Sequence, residues 1–184
     1  MTCILAFIED GNVYVGADGQ VTANYDIWSN DYDKIHINGD IIAAFSGSHS
    51  VVPLAQKIFK SINHEKVGNL NDDIWEHFIA PMQRERRLRD IESSSYNAIF
   101  AKGDQLIDTN DKNCITSYKN YTAIGCGAPF ARAAYHVLTG FRPDMKPLKL
   151  LEECLLTAAD LSAGCNRNLK HATTKDLKVI SLSI

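Results

Sequence analysis

No apolar run approaches the ~20 residues that a membrane-spanning helix requires. The longest apolar stretches, residues 3–8 and 41–45, are only strand-sized, so no bilayer crossing is expected. Positive charge is also short: 19 Lys and Arg stand against 22 Asp and Glu, a net charge of −3. Without a basic field to hold a phosphate backbone, a nucleic-acid partner is not expected. The five cysteines (Cys3, Cys114, Cys126, Cys154, Cys165) are odd in number, scattered and free of any CxxC pair. This excludes a zinc ribbon or disulfide scaffold and suits reduced thiols in a cytoplasmic protein. The six histidines form no HExxH or His/Cys cluster, so neither a metal nor a cofactor is expected. Residues 125–129, GCGAP, lack the Lys-Ser/Thr ending of a phosphate-binding loop and the third glycine of a dinucleotide site. The first ten residues carry no basic leader and reach Glu9-Asp10 early, so export is not expected.

What is present is the composition of a folded globular chain, 45% apolar and 22% charged over 184 residues. One domain spanning residues 1–184 is expected, with no repeat or linker. β-Branched and aromatic runs at 2–8 and 12–17 flank Asp10-Gly11, a hairpin signature. A polar stretch follows to Asp33, then a second hairpin from Lys34, turning at Asn38-Gly39 and ending near Ser46. Helical spacing governs Val52, Ala55, Ile58 and Phe59, and again Leu70, Ile74, Phe78 and Met82. The second helix ends in a basic turn, residues 83–90, which reads as a solvated face. Strand signals return over 96–102, 105–108, 114–118 and 121–124, helical ones over 127–138 and 147–162, and a strand is expected over 176–184. This order predicts an α+β fold of packed sheets with helices outside.

Thr2 directly follows the initiator methionine. Removal of Met1 would place a hydroxyl and a free α-amine on one residue, a nucleophile beside a base whose unperturbed pKa is near ~8. Asp18 closes the second strand and Lys34 opens the third. A buried ammonium beside Thr2 would lower the pKa of hydroxyl and amine, and Asp18 would hold that lysine charged. Taken alone, each residue equally suits a plain strand or turn position.

In combination, Thr2, the segment 16–22 (GADGQVT), Asp33-Lys34-Ile35, the segment 43–47 (AAFSG) and the segment 123–131 (AIGCGAPFA) resemble the proteasome β-subunit family, in particular its bacterial HslV-like branch. The resemblance runs in order along nearly the whole chain, including the helix around Arg86 to Arg89 and the late Ala158-Ala159-Asp160. It implies an N-terminal-nucleophile hydrolase fold, a four-layer αββα sandwich of two antiparallel sheets flanked by helices. It also implies a threonine peptidase that cleaves polypeptides inside homo-oligomeric, stacked rings and works with an ATP-dependent unfoldase. Carried over by motif, Thr2 is the nucleophile, its amine the base, Lys34 the electrostatic activator and Asp18 the partner of Lys34. Gly47 would offer a backbone N–H to the oxyanion, and Asp160 would support the surroundings of Thr2. Cys126 stands where the family usually has serine, as does Ala163 in many members.

Substrate is expected to lie as an added strand between Val21-Thr22 and Gly47-Ser48-His49. A mildly apolar side-chain pocket is expected from Val21, Tyr32 and Phe45. Two further readings stay open. The same catalytic atoms would serve an amidase acting on small amides, and Cys126 with Ala163 would suit a ring scaffold whose catalysis is impaired.

Overall fold

A computed structural model describes residues 2–23 and 26–182. Two five-stranded antiparallel sheets form its centre. In the first, strands β1 (Ile4–Glu9), β2 (Asn12–Asp18), β10 (Tyr121–Ile124), β11 (Leu169–Thr173) and β12 (Ile180–Ser181) take the order β10-β1-β2-β11-β12. In the second, β5 (Ile35–Asn38), β6 (Ile41–Gly47), β7 (Tyr96–Lys102), β8 (Gln105–Asn110) and β9 (Ile115–Tyr118) are paired in sequence order. Helices α1 (Val52–Ser61), α2 (Leu70–Ile74) and α3 (Ala80–Leu88) cover the second sheet, and α4 (Ala128–Phe141) and α5 (Pro147–Leu161) cover the first.

The alternation of β1 explains the layering. Ile4 and Ala6 point between the sheets, where they meet Ile42, Ala44 and Ile99. Cys3, Leu5 and Phe7 point the other way, onto Leu151, Cys154 and Leu155 of α5. Because side chains alternate with period two, one apolar strand serves two cores at once. A third core, centred on Phe45, Phe59, Phe78 and Phe100, joins β6 and β7 to the helices α1 to α3. These three cores lie between the four layers of the αββα sandwich.

Four expectations need correction. The helix from Leu70 is interrupted by a π-helical turn, Trp75–Ile79, in which the Ala80 N–H donates to the Trp75 carbonyl. Pro81, with no N–H and a ring that crowds the preceding turn, accounts for the widened segment. The final strand is mostly not at 176–184: β11 lies earlier, at Leu169–Thr173, and only Ile180–Ser181 pairs beyond it. The last two positions of that expected strand, 183 and 184, lie outside the described residues. The polar segment before Asp33 holds a small hairpin of β3 (Val21–Ala23) and β4 (Asp26–Ser29). Nor is the basic turn wholly solvated. Arg86 is buried, its guanidinium 5.4 Å above the Tyr96 ring and donating to the carbonyls of Glu92, Ser94 and Asp111.

Candidate active site

The two hairpins predicted from the sequence bring Thr2, Asp18 and Lys34 together. β1 and β2 pair with Ile4 opposite Ala17, so Thr2 and Asp18 leave the sheet at the same end. The Asp18 N–H donates to the Cys3 carbonyl at 3.1 Å, and the Cys3 N–H donates to Asp18 Oδ1 at 2.7 Å. Lys34 arrives from the other sheet: its carbonyl accepts the Phe45 N–H at 3.1 Å, and its Nζ reaches Asp18 Oδ1 at 2.7 Å. The second oxygen of Asp18 accepts the Gln20 N–H at 3.0 Å. Thr2, Asp18 and Lys34 are all buried.

Burial pulls the Lys34 pKa below the ordinary lysine range, and Asp18 opposes this through its charge and hydrogen bond. An ammonium in a dry site is a stronger field source than one in water.

Thr2 lines a small cleft of about 50 Å³ together with Val21, Tyr32 and Lys34. Gly47, Ser48, His49 and Phe45 also line it. Thus every residue expected to surround a substrate, apart from Thr22, borders the cavity that contains Thr2. Thr22 is the neighbour of Val21 on β3, opposite Ile27. Phe45 is chiefly a core residue, packed on Phe59, Phe78 and Phe100, with one edge left to the cleft. Tyr32 is oriented by the side chain of Gln56, with which its hydroxyl exchanges hydrogen bonds at 3.1 and 3.2 Å.

Gly47 needs to be glycine for two reasons. Its φ is +150°, and a Cβ there would stand 2.5 Å from the Ser95 carbonyl. The Ser48 N–H donates to that same carbonyl at 3.0 Å, so the turn after β6 is fastened to the segment that Arg86 holds. Gly125 is tighter still: with φ at +93°, a Cβ would stand 2.2 Å from the Thr2 carbonyl.

Behind Thr2 lies a group of thiols. The Thr2 N–H contacts Cys126 Sγ at 3.3 Å, Cys126 Sγ approaches the Thr2 carbonyl at 3.4 Å, and Ser162 Oγ lies 3.7 Å from the same sulfur. The hydrogen bond with Cys165 and burial push the Cys126 thiol above its usual range, so it stays protonated at neutral pH. The Cys3 and Cys165 side chains both crowd Gly127, where an added Cβ would stand 2.6 and 2.7 Å from them. Asp160, by contrast, is exposed near the end of α5 and makes a bidentate ion pair with Arg167 at 2.7 and 2.8 Å. Ser162, two residues on, is instead the side chain whose hydroxyl lies against Cys126. Sequence reading missed Ser162 and Cys165, whose spacing from Cys126 along the chain gives no hint of a meeting. Among the described residues no group of three or more His, Cys, Asp or Glu could hold a metal. None of the described helices is long and apolar enough to cross a membrane.

The family model described as "Proteasome subunit" matches residues 1–173. The chain belongs to the proteasome subunit family. This proteasome-family chain is 27% identical over 177 residues to the ATP-dependent protease subunit HslV of a Sulfurovum species, covering 92% of this chain and 96% of the relative. It is 28% identical over 183 residues to the ATP-dependent protease subunit HslV of a Nitratiruptor species, covering 95% and 98%. Among solved structures, Thiobacillus denitrificans BPH in complex with epoxomicin superposes with a TM-score of 0.76 at 18% identity, over 99% of this chain and 100% of that one. The proteasome-family assignment places the chain in a family of proteases, and the superposition shows the αββα fold.

Proposed function

We propose that this chain, a single domain over residues 1–184, is a threonine endopeptidase that acts after removal of Met1 and assembles into homo-oligomeric, stacked rings. The observation that carries this reading is the buried Lys34–Asp18 ion pair at 2.7 Å, whose lysine lines the same cleft as Thr2. A buried lysine charge requires compensation, and placing it beside a hydroxyl favours the developing alkoxide.

In this mechanism the free α-amine of Thr2 accepts the proton of its own hydroxyl while Oγ attacks the peptide carbonyl. The oxyanion is held by the backbone N–H of Gly47, and one such donor typically lowers the barrier by ~3 kcal/mol. The proton passes to the leaving amine as the C–N bond breaks, leaving an ester on Thr2, which water hydrolyses with the amine again as base. Asp18 keeps Lys34 protonated. Cys126 orients the amine through its sulfur, and Asp160 acts at the rim, where its pairing with Arg167 steadies the turn that carries Ser162.

Substrate adds as a strand between Val21-Thr22 and Gly47-Ser48-His49. The relatives' description as ATP-dependent protease subunits supports an ATP-driven partner, taken here as an unfoldase, and the scattered free thiols suit a cytoplasmic site of action.

The thiol of Cys126, a poorer hydrogen-bonding group than a hydroxyl, favours a second reading, a ring scaffold without turnover. Intact mass after exposure to an epoxyketone decides between them, because its two-step reaction needs both a threonine hydroxyl and a free α-amine. The peptidase reading expects loss of Met1 and one adduct, absent in Thr2→Ala. Met1 loss without an adduct and without peptide turnover would support the scaffold. Turnover of small amides but not peptides would point to an amidase.

A further inference from the structure

The hairpin of β3 and β4 contains a register shift: Val21 faces Ser29 and Thr22 faces Ile27. Trp28 is therefore the extra residue of a β-bulge. A bulge bends its strand and re-aims the side chain it carries, and such features recur beside active sites. Here the indole is laid on the imidazole of His49, with ring centroids 4.8 Å apart and planes inclined by 24°. His49 lines the cleft that holds Thr2, as does Val21 on the strand paired with β4. The stack thus joins the two segments that flank the cleft.

Trp28 nevertheless remains 64% exposed. His49 covers only part of a large apolar ring, and the remainder faces water next to a residue that lines the cleft. A rigid amphipathic ring offers contact area at little entropic cost, and an aromatic or large apolar side chain is its natural complement. We infer that Trp28, propped by His49, is a substrate-binding residue that favours polypeptides with an aromatic or large apolar side chain near the scissile bond. This inference rests on the peptidase reading of the Thr2 cleft. It adds a selective surface at the rim to the pocket formed by Val21, Tyr32 and Phe45.

Two measurements test it. The first compares fluorogenic peptides that differ only in carrying Phe or Ala beside the cleaved bond. Aromatic pairs contribute enough that Trp28→Ala should raise KM for the Phe peptide about threefold to tenfold with kcat held. KM for the Ala peptide should change less than twofold, and Trp28→Phe should recover most of the loss. An equal effect on both peptides, a loss confined to kcat, or a change in assembly size on sedimentation would overturn the inference.

The second measurement does not depend on catalysis. The chain has two tryptophans, so Trp75→Phe combined with Thr2→Ala leaves Trp28 as the only one. Its fluorescence should change saturably with the Phe peptide, and an unchanged signal would overturn the inference. Saturable binding in a protein whose parent shows no Thr2-dependent turnover would sink the peptidase reading alone. Thr2-dependent turnover indifferent to Trp28 would sink the subsite alone.

Discussion

Asp18 Oδ1 accepts from both Lys34 Nζ and the Cys3 N–H, each at 2.7 Å. One oxygen therefore ties the lysine of one sheet to the chain segment that carries Thr2 in the other. The ion pair sets the distance between the nucleophile and its charge.

The first prediction concerns that tie. Asp18→Asn leaves a buried ammonium without its counter-charge, and breaking a buried pair in this way typically costs ~3 to 5 kcal/mol. Both side chains are almost wholly buried, so solvent screening offers little relief. Urea unfolding should show the loss, and turnover should fall with it. Lys34→Met together with Asp18→Leu should regain much of the stability while remaining inactive. Recovery of activity in that double variant would refute the role given to Lys34.

The pH profile is the second prediction. The α-amine must be unprotonated to act as base, so kcat/KM should rise through its pKa, which the Lys34 ammonium draws below the ~8 of a free α-amine. Burial holds Lys34 below the 10.5 of an ordinary lysine, so activity should fall again before that pH as the ammonium is lost. Stability should move in the opposite sense. In the window between the lowered folded value and 10.5, the unfolded chain binds more protons, so this group's contribution to stability grows as pH rises. A plateau of kcat/KM extending beyond pH 10.5 would contradict the assignment.

Cys126 supplies the third. Cys126→Ser places a stronger donor and acceptor beside the Thr2 nitrogen, and a gain of about 1 kcal/mol, roughly fivefold in kcat, is expected. Cys126→Ala should lower kcat and leave KM unchanged. Steady-state kinetics of both variants distinguishes a working hydrogen bond from simple packing.

Gly125→Ala is the fourth. With a Cβ 2.2 Å from the Thr2 carbonyl, the variant must displace Thr2 or the turn before α4. The epoxyketone adduct should disappear even though the core of the protein remains folded by circular dichroism. Normal adduct formation would show that the turn yields without moving Thr2.

Arg86 yields the fifth. Arg86→Met removes the donors that hold the Glu92 and Ser94 carbonyls, and a loss of about 3 kcal/mol is expected. Because Ser95 holds the Ser48 N–H, turnover should decline beyond what unfolding explains, as measured well below the melting temperature.

Much of this was written in local pattern. The Asp10-Gly11 hairpin, the alternation of residues 3–7 and the helical spacing of Val52 to Phe59 each follow from backbone geometry and side-chain period, which act over a few residues. That is why the sequence by itself determined most of the order of strands and helices, apart from the β3–β4 hairpin and β11, and, through the ordered motifs around Thr2, Asp18, Lys34 and Gly47, the family. It did not determine the π-turn before Pro81, the position of β11 or the burial of Arg86 in a run of charged residues. Each depends on which neighbours the packed sheets and helices bring within reach. Only the tertiary structure decided that Ser162 meets Cys126 while Asp160 turns to Arg167, and that Trp28 leans on His49. These contacts join residues between 7 and 36 positions apart in the chain. No periodicity links them, because proximity there is set by how two sheets and their helices close on one another.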